Sequence, residues 1–193
     1  SDGDGHTHNN MAVLDAQSMD DDGYLYFSKS HPDGTEICRY NPRTQEYVYY
    51  PTYSWCTTAG ETMQKGDYIY FTANATNRHW LVKMDKLTGK IISTGDFTEN
   101  VQNKTRYTIG MEFLGENYLK LITPIGVTIF DIHTMTMLPQ EKHGLKGPLK
   151  GHTSDVLDGR VYFTCSINGM CYYDPETDTF GIVGGEIAKN KTK

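Results

Sequence analysis

The sequence has few of the features that mark membrane spans, nucleic-acid binding or the commoner enzymes. No apolar run approaches the roughly 18 residues of a membrane helix, so no membrane span is expected. The formal net charge is −6, whereas a nucleic-acid partner favours a basic face, so no nucleic-acid partner is expected. The sequence contains no G-x-S-x-G, H-E-x-x-H, P-loop or dinucleotide motif, which leans against an enzyme without deciding the question.

Cysteine is scarce, and its spacing excludes the usual cysteine motifs. The 4 cysteines include no C-x-x-C pair, so the sequence predicts neither a zinc ribbon nor a redox motif. A two-residue hairpin loop at Asn168-Gly169 would place Ser166 opposite Cys171 and Cys165 opposite Tyr172. Cys165 and Cys171 would then lie on opposite faces of the hairpin, which favours thiols that are free or paired elsewhere.

A secretory leader is not recognisable, and the chain begins with Ser1 rather than Met, which is typical of a processed or excerpted product. Three N-x-Thr sequons begin at Asn74, Asn103 and Asn190, and they permit secretion without requiring it. We expect a secreted, extracellular or periplasmic protein.

What the sequence does have is a repeat with two independent turn signals. A turn glycine precedes an aromatic or aliphatic strand four times, at Gly23, Gly66, Gly115 and Gly159. An Asx-x-x-Thr turn follows each time, beginning at Asn41, Asp85, Asp131 and Asp174. Both signals keep a period of roughly 45 residues, which is the length of a four-stranded propeller blade. Aligned by the second signal, Cys38 and Cys171 occupy the same repeat position, as small apolar core residues would.

The predicted fold is therefore all-β, a β-propeller of four blades with four antiparallel strands each. We expect a flexible arm at residues 1–10, a propeller domain at 11–185 and a solvated tail at 186–193. The expected blades span about residues 11–55, 56–100, 101–150 and 151–185. Every blade holds its strands in one piece, which fits a closed four-bladed ring and equally fits part of a larger propeller.

The most aromatic stretch, YVYYPTYSW at residues 47–55, is the candidate ligand-binding surface. If exposed, Tyr53 and Trp55, together with Trp80, suit stacking on a sugar or a peptide. The alternative is that this stretch packs between blades as core.

One constellation of histidines is a candidate metal or acid–base site. The tripeptide Gly-His-Thr occurs twice, around His6 and around His152, each time near the start of a blade's inner strand, and His8 follows His6 closely. If the ring closes after blade four, these imidazoles would meet at the mouth of the channel. There they would hold a divalent metal ion or serve as general acid and base. The alternative is that His6 and His8 lie on the arm and His152 in a turn.

The units GYLYFSKSHPDGTEICRYNPRTQEY and GRVYFTCSINGMCYYDPETDTF resemble blades of the broad NHL, YVTN, Kelch and Tricorn-like β-propeller group. The resemblance extends over about residues 11–185 and lies in the glycine turn before the second strand and the Y-D-P-x-T turn after the third. The double glycine and spaced Trp of Kelch blades are missing, and the NHL and WD signatures are incomplete. The resemblance implies the architecture and assigns no active-site residue.

Three functions fit these observations. The first is an extracellular or periplasmic binding module for a glycan or protein partner. The second is a metal-dependent lyase or hydrolase that acts on a polysaccharide through the channel-mouth histidines. The third is a structural subunit of an assembly, with exposed aromatics such as Trp55 and Trp80 as subunit contacts, so an oligomer remains open.

Overall fold

The computed structural model is almost entirely β-structure. It describes residues 12–13, 19–31, 33–50, 53–101 and 110–183, and for 12–13, 29–31, 57–60 and 152–154 it describes the backbone only. Within these ranges, sixteen strands form four sheets of four antiparallel strands, and in each sheet the spatial order follows the chain order. The predicted architecture of four four-stranded sheets is confirmed.

The strands fall into four consecutive blades. Blade 1 contains β1 (Ala12–Val13), β2 (Leu25–His31), β3 (Gly34–Asn41) and β4 (Glu46–Tyr49). Blade 2 contains β5 (Thr57–Lys65), β6 (Tyr68–Ala75), β7 (Arg78–Asp85) and β8 (Ile91–Asp96). Blade 3 contains β9 (Met111–Leu114), β10 (Tyr118–Leu121), β11 (Thr128–Asp131) and β12 (Thr136–Met137). Blade 4 contains β13 (Leu149–Leu157), β14 (Arg160–Cys165), β15 (Gly169–Asp174) and β16 (Thr179–Ile182).

Two short helices lie between the blades. A 3₁₀ turn at Thr98–Asn100 follows blade 2, and the single-turn helix α1 (Gln140–His143) precedes blade 4. Gly144 ends α1 in the left-handed conformation, with φ of 65°, as is common after a helix C-terminus.

Both sequence signals mark the turns that they predict. The four turn glycines, Gly23, Gly66, Gly115 and Gly159, all have positive φ, between 57° and 86°. In all four Asx turns the side-chain oxygen of the first residue accepts the backbone N–H group two positions on, and in the turns at Asn41, Asp85 and Asp131 also the one three positions on. Asp85 Oδ1, for example, accepts from Leu87 at 2.9 Å and Thr88 at 2.8 Å. These self-capped turns end the third strand of each blade at the same repeat position.

The fifth residue of each Asx turn has a left-handed backbone conformation, which the sequence does not predict. Its φ lies between 52° and 71° at Gln45, Gly89, Met135 and Asp178. These four residue types share no chemistry, so the position is set by the turn rather than by the side chain.

The predicted hairpin in blade 4 is wrong in its register. Its loop is three residues long, Ser166–Asn168, and Cys165 pairs with Gly169 while Phe163 pairs with Cys171. Alternate residues of a strand share a face, so Cys165 and Cys171 lie on the same face rather than on opposite ones. They are nevertheless buried thiols, as are Cys38 and Cys56. The predicted equivalence of Cys38 and Cys171 holds, because Cys38 also pairs with a second-strand phenylalanine, Phe27.

The chain divides into two compact units, and the boundary falls within β8. Unit 1 is residues 1–94 with 106–108, and unit 2 is residues 95–105 with 109–193. The core of unit 1 lies between the sheets of blades 1 and 2. Tyr26, Ile37 and Tyr50 of blade 1 and its linker pack there with the blade 2 residues Ile69, Phe71, Val82 and Met84. Burial of this aromatic and branched surface stabilises the unit at about 25 cal/mol per Å² of apolar area.

The core of unit 2 repeats this arrangement between blades 3 and 4. Leu114, Tyr118 and Ile129 of blade 3 pack there with the blade 4 residues Val161, Phe163, Cys171 and Tyr173. We call the side of each blade that carries the equivalent second-strand residue, which is Phe27, Phe71, Leu121 or Phe163, its front face, and the opposite side its back face. In both units the front face of the later blade packs against the back face of the earlier one.

Candidate binding surface

The segment that follows blade 1 is held against β3 by its backbone. Thr35 and Tyr53 exchange two backbone hydrogen bonds, at 3.1 and 2.8 Å, and the Thr35 hydroxyl donates to the carbonyl of Cys56 at 3.1 Å. Gly34 makes this contact possible, because a Cβ there would overlap the backbone of Tyr53 and Ser54. The linker is thereby fixed just before Trp55.

Trp55 and Trp80 form an aromatic pair at the surface of unit 1. Their rings meet edge to face, with centroids 5.5 Å apart and an interplanar angle of 70°. Trp55 is 43% exposed, while Trp80, on β7, is half-buried against the core of unit 1. This geometry presents one indole to solvent and supports it with the other, as in a preorganised contact for a flat ligand.

Tyr53 lies on the other side of this linker, in the core. It is 8% exposed, its ring stacks on Phe71 at 6.0 Å, and its hydroxyl donates to the carbonyl of Gly89. Burial raises its pKa to about 12, so the phenol stays neutral. The structure brings Trp55 and Trp80 together as expected for a shared surface, but it places the Tyr53 ring away from solvent. Ligand contact at any of the three stays a prediction.

The rest of the aromatic stretch is divided between core and surface. Tyr50 is buried and donates to the carbonyl of Lys86 at 2.6 Å, while Tyr47 and Tyr49 are 50% and 47% exposed on β4. Tyr47 stacks on Tyr40 at 4.3 Å and on Tyr49 at 5.8 Å, and Phe27 meets it edge-on. These four rings cover the front face of blade 1. The stretch is thus neither all core nor all surface.

A buried carboxylate joins the two blades of unit 1. Asp20 Oδ1 accepts the backbone N–H groups of Asp22 and Tyr24, both at 2.9 Å, and Oδ2 accepts the Tyr26 hydroxyl at 2.8 Å. Lys86 of blade 2 lies 3.6 Å from Oδ2, and the Asp20 side chain is 1% exposed. Burial alone would raise the pKa of Asp20, but these hydrogen bonds and the Lys86 charge lower it below the usual value of an aspartate. The acidic turn Asp20–Asp22 is therefore a structural clamp.

Unit 2 has a counterpart around Asp178. Its Oδ1 accepts the hydroxyls of Tyr118 and Tyr173, at 2.8 and 3.0 Å, and its Oδ2 accepts Lys142 of α1 at 2.6 Å. The Lys142 hydrogen bond is the main cause that lowers the pKa of Asp178. The Asp178 side chain is 47% exposed, so water screens this cluster more than it screens Asp20. Sequence reasoning missed both clamps, since no local pattern announces them.

Each blade also places one cation next to an aromatic ring at its back face. Arg39 lies 4.4 Å over the Tyr24 ring, and Lys83 lies 4.2 Å over Tyr68. In blade 3, Lys120 is 1% exposed, 5.4 Å over Phe163 of blade 4 and 3.3 Å from Glu112. In blade 4, Arg160 lies 4.4 Å over Tyr172. Such pairs contribute on the order of 0.5–2 kcal/mol, more when they are desolvated.

The histidine site falls outside what the structure describes. His6 and His8 lie outside the described residues, and of His152 only the backbone is described, within β13. Among the described residues, no group of three or more His, Cys, Asp or Glu is placed to hold a metal ion. The metal site therefore stays a prediction. In the same part of the chain, no helix is long and apolar enough to cross a membrane.

Comparison with known proteins gives the fold and no closer relationship. No protein-family model matches the sequence, and no curated protein matches it. A chain in the crystal structure of the mitotic checkpoint complex matches with a TM-score of 0.59 and 10% identity, over 90% of this chain and 51% of that one. Kluyveromyces lactis Hsv2 matches with a TM-score of 0.54 and 13% identity, over 90% of this chain and 48% of that one. Kluyveromyces marxianus Hsv2 matches with a TM-score of 0.53 and 10% identity, over 89% of this chain and 51% of that one.

These structures are β-propellers. The fold is a β-propeller of four described blades. At such low identity the likeness extends to the fold alone. The chain spans about half the length of the solved structures that it matches.

Proposed function

We propose that this propeller is a binding module whose contact surface for a protein partner is centred on Trp55 and Trp80. The observation that carries the proposal is the edge-to-face indole pair at the surface of unit 1, held by the Thr35–Tyr53 bridge and backed by the core of that unit. Tryptophan on a rigid support is the residue type that most often dominates binding energy at protein interfaces. One structurally similar chain belongs to an assembly, the mitotic checkpoint complex, which agrees with a role in protein interaction.

The finer parts of the proposal concern the ligand and the compartment. The same indole pair suits stacking on a sugar ring, so a glycan is the alternative ligand. We propose a place outside the cell or in the periplasm, which the three sequons permit without requiring it and which the four thiols do not demand. Its blades resemble those of the broad NHL, YVTN, Kelch and Tricorn-like group in their turn pattern. The metal-dependent enzyme stays the alternative prediction, because the side chains of His6, His8 and His152 lie outside the described part of the chain.

The test uses the chain's only two tryptophans as the reporter. A displayed random-peptide library and a glycan array are screened with the chain, and each selected ligand is titrated by tryptophan fluorescence. We expect peptides to be selected and to change the emission. Trp55→Ala should weaken their binding by about 2 kcal/mol, roughly thirtyfold in Kd.

Leu87→Ala is the matched control, because Leu87 is 78% exposed in a turn of blade 2 away from the pair. It should bind as the unaltered chain does. The proposal would be overturned if Trp55→Ala and Trp80→Ala both bound as tightly as the unaltered chain, or if the screens selected no ligand. Selection of glycans alone would replace the protein partner with the sugar.

A further inference from the structure

The two ends of the blade series carry faces that are interior elsewhere in the repeat. The residue just before each Asx turn is Tyr40, Met84, Phe130 or Tyr173. It is at most 1% exposed in blades 2, 3 and 4, but partly exposed in blade 1. Its neighbour on the outer strand of blade 1, Tyr47, is half exposed as well.

Unit 2 shows what normally covers this pair. Tyr173 and Phe180 of blade 4, the equivalents of Tyr40 and Tyr47, stack with centroids 4.8 Å apart, close to the 4.3 Å of the blade 1 pair. Tyr118 from the back face of blade 3 lies against both rings, at 5.2 and 5.7 Å. The front face of blade 1 therefore has the chemistry of a surface that receives a preceding blade.

The back face of blade 4 is partly exposed where the back faces of the other three blades are buried. The second-strand position occupied by Tyr26, Tyr70 and Lys120 is at most 2% exposed in blades 1, 2 and 3, whereas its equivalent Tyr162 is partly exposed. Met170 on the same face is 44% exposed. The Arg160–Tyr172 contact of 4.4 Å repeats, with cation and ring exchanged between the strands, the Arg39–Tyr24 contact of blade 1. In blade 1 this back face receives the next blade.

We propose that a second copy of this chain covers these faces, with blade 4 of each copy packing its back face on the front face of blade 1 of the other. The faces match in kind, because a front face packs on a back face within each unit. The chain spans 48–51% of the matched propellers, so two copies supply the length of one of them. Two identical contacts related by a two-fold axis leave neither face open, which gives a closed dimer rather than a filament.

The test measures the mass of the 193-residue chain in solution by light scattering and sedimentation equilibrium. We expect a dimer. Tyr47→Glu and Met170→Glu each place a charge on one of the two faces, and each should weaken dimerisation by at least tenfold. Tyr47→Phe, which keeps the stacked ring, and Leu87→Glu, an equally drastic change on an exposed turn, should leave the dimer intact.

A mixing experiment separates this contact from general loss of folding. An equal mixture of Tyr47→Glu and Met170→Glu should recover dimer in part, since the mixed dimer has one contact between two unaltered faces. A chain that stays monomeric at its highest soluble concentration overturns the proposal in favour of closure within one chain or of further blades. A dimer that both glutamate variants leave intact, or that Leu87→Glu also dissociates, overturns it too.

Discussion

Unit 1 and unit 2 each contain a carboxylate that links neighbouring elements, but the two carboxylates differ in how deeply they are buried. In each, a carboxylate with tyrosine and lysine partners ties two neighbouring parts of the unit together. Asp20 accepts the Tyr26 hydroxyl and forms an ion pair with Lys86, while Asp178 accepts the hydroxyls of Tyr118 and Tyr173 and the ammonium of Lys142. The Asp20 side chain is 1% exposed and that of Asp178 is 47% exposed. A carboxylate with tyrosine and lysine partners can thus serve as a buried clamp or as a contact that water screens.

The largest effect should come from Asp20→Ala. The change removes the acceptor of the buried Tyr26 hydroxyl and of the Asp22 and Tyr24 backbone N–H groups. It leaves Lys86 with only the exposed carboxylate of Asp22, at 3.7 Å, so we expect the free energy of unfolding to fall by about 3 kcal/mol. Urea unfolding at neutral pH measures this. Asp21→Ala, at the exposed neighbouring position, is the control and should change stability by less than about 0.5 kcal/mol. A loss at Asp20 no greater than the control's would mean that the clamp carries no energy.

A smaller effect is expected from Asp178→Ala. Lys142 is 33% exposed and can turn to water once the carboxylate is gone. The carboxylate itself is 47% exposed, so water can enter its place beside the hydroxyls of Tyr118 and Tyr173, and the loss should be about 1 kcal/mol. Asp178→Asn is the better-matched partner variant, because asparagine also tolerates the left-handed backbone at this position, where φ is 52°. If Asp178→Ala destabilised the chain as strongly as Asp20→Ala, depth would not explain the difference between the units.

The smallest effect is in the dependence on pH. Both carboxyls have pKa values lowered by folding, so they stabilise the chain above the unfolded value of about 3.9 and stop doing so as the pH falls through the folded value. The free energy of unfolding should therefore drop as the pH falls below about 4. Asp20→Asn and Asp178→Asn should each flatten this drop. Acid titrations of stability that coincide for both variants and the unaltered chain would contradict it.

The repeat could be predicted from the sequence because its signals are local. The turn glycines and the Asx-x-x-Thr turns act through their own backbone and their nearest neighbours, so their spacing alone yields four blades of four strands. The equivalence of Cys38 and Cys171 follows from the same alignment and holds in the pairing of both with phenylalanine.

The register and the inter-blade contacts could not be predicted in this way. The hairpins between the second and third strands have loops of two residues in blades 1 and 2, six in blade 3 and three in blade 4. Equivalent second-strand residues, such as Tyr24 and Arg160, therefore drift in spacing from the Asx turn. Because the loop length varies between blades, the Asn168-Gly169 signal predicts a two-residue loop where the structure has a three-residue one. Asp20 and Asp178 act on partners in other blades or helices, which no local pattern reveals.

The buried cysteines can report separately on the opening of each unit. Cys38 and Cys56 lie in unit 1, Cys165 and Cys171 lie in unit 2, and all four are buried. Burial raises the pKa of Cys56 to about 11 and that of Cys171 to about 12, so their thiolates are scarce at neutral pH. A thiol-labelling reagent can modify them only when the surrounding blades open. Peptide mapping of the labelled sites against time would then report the opening rate of each half of the chain separately.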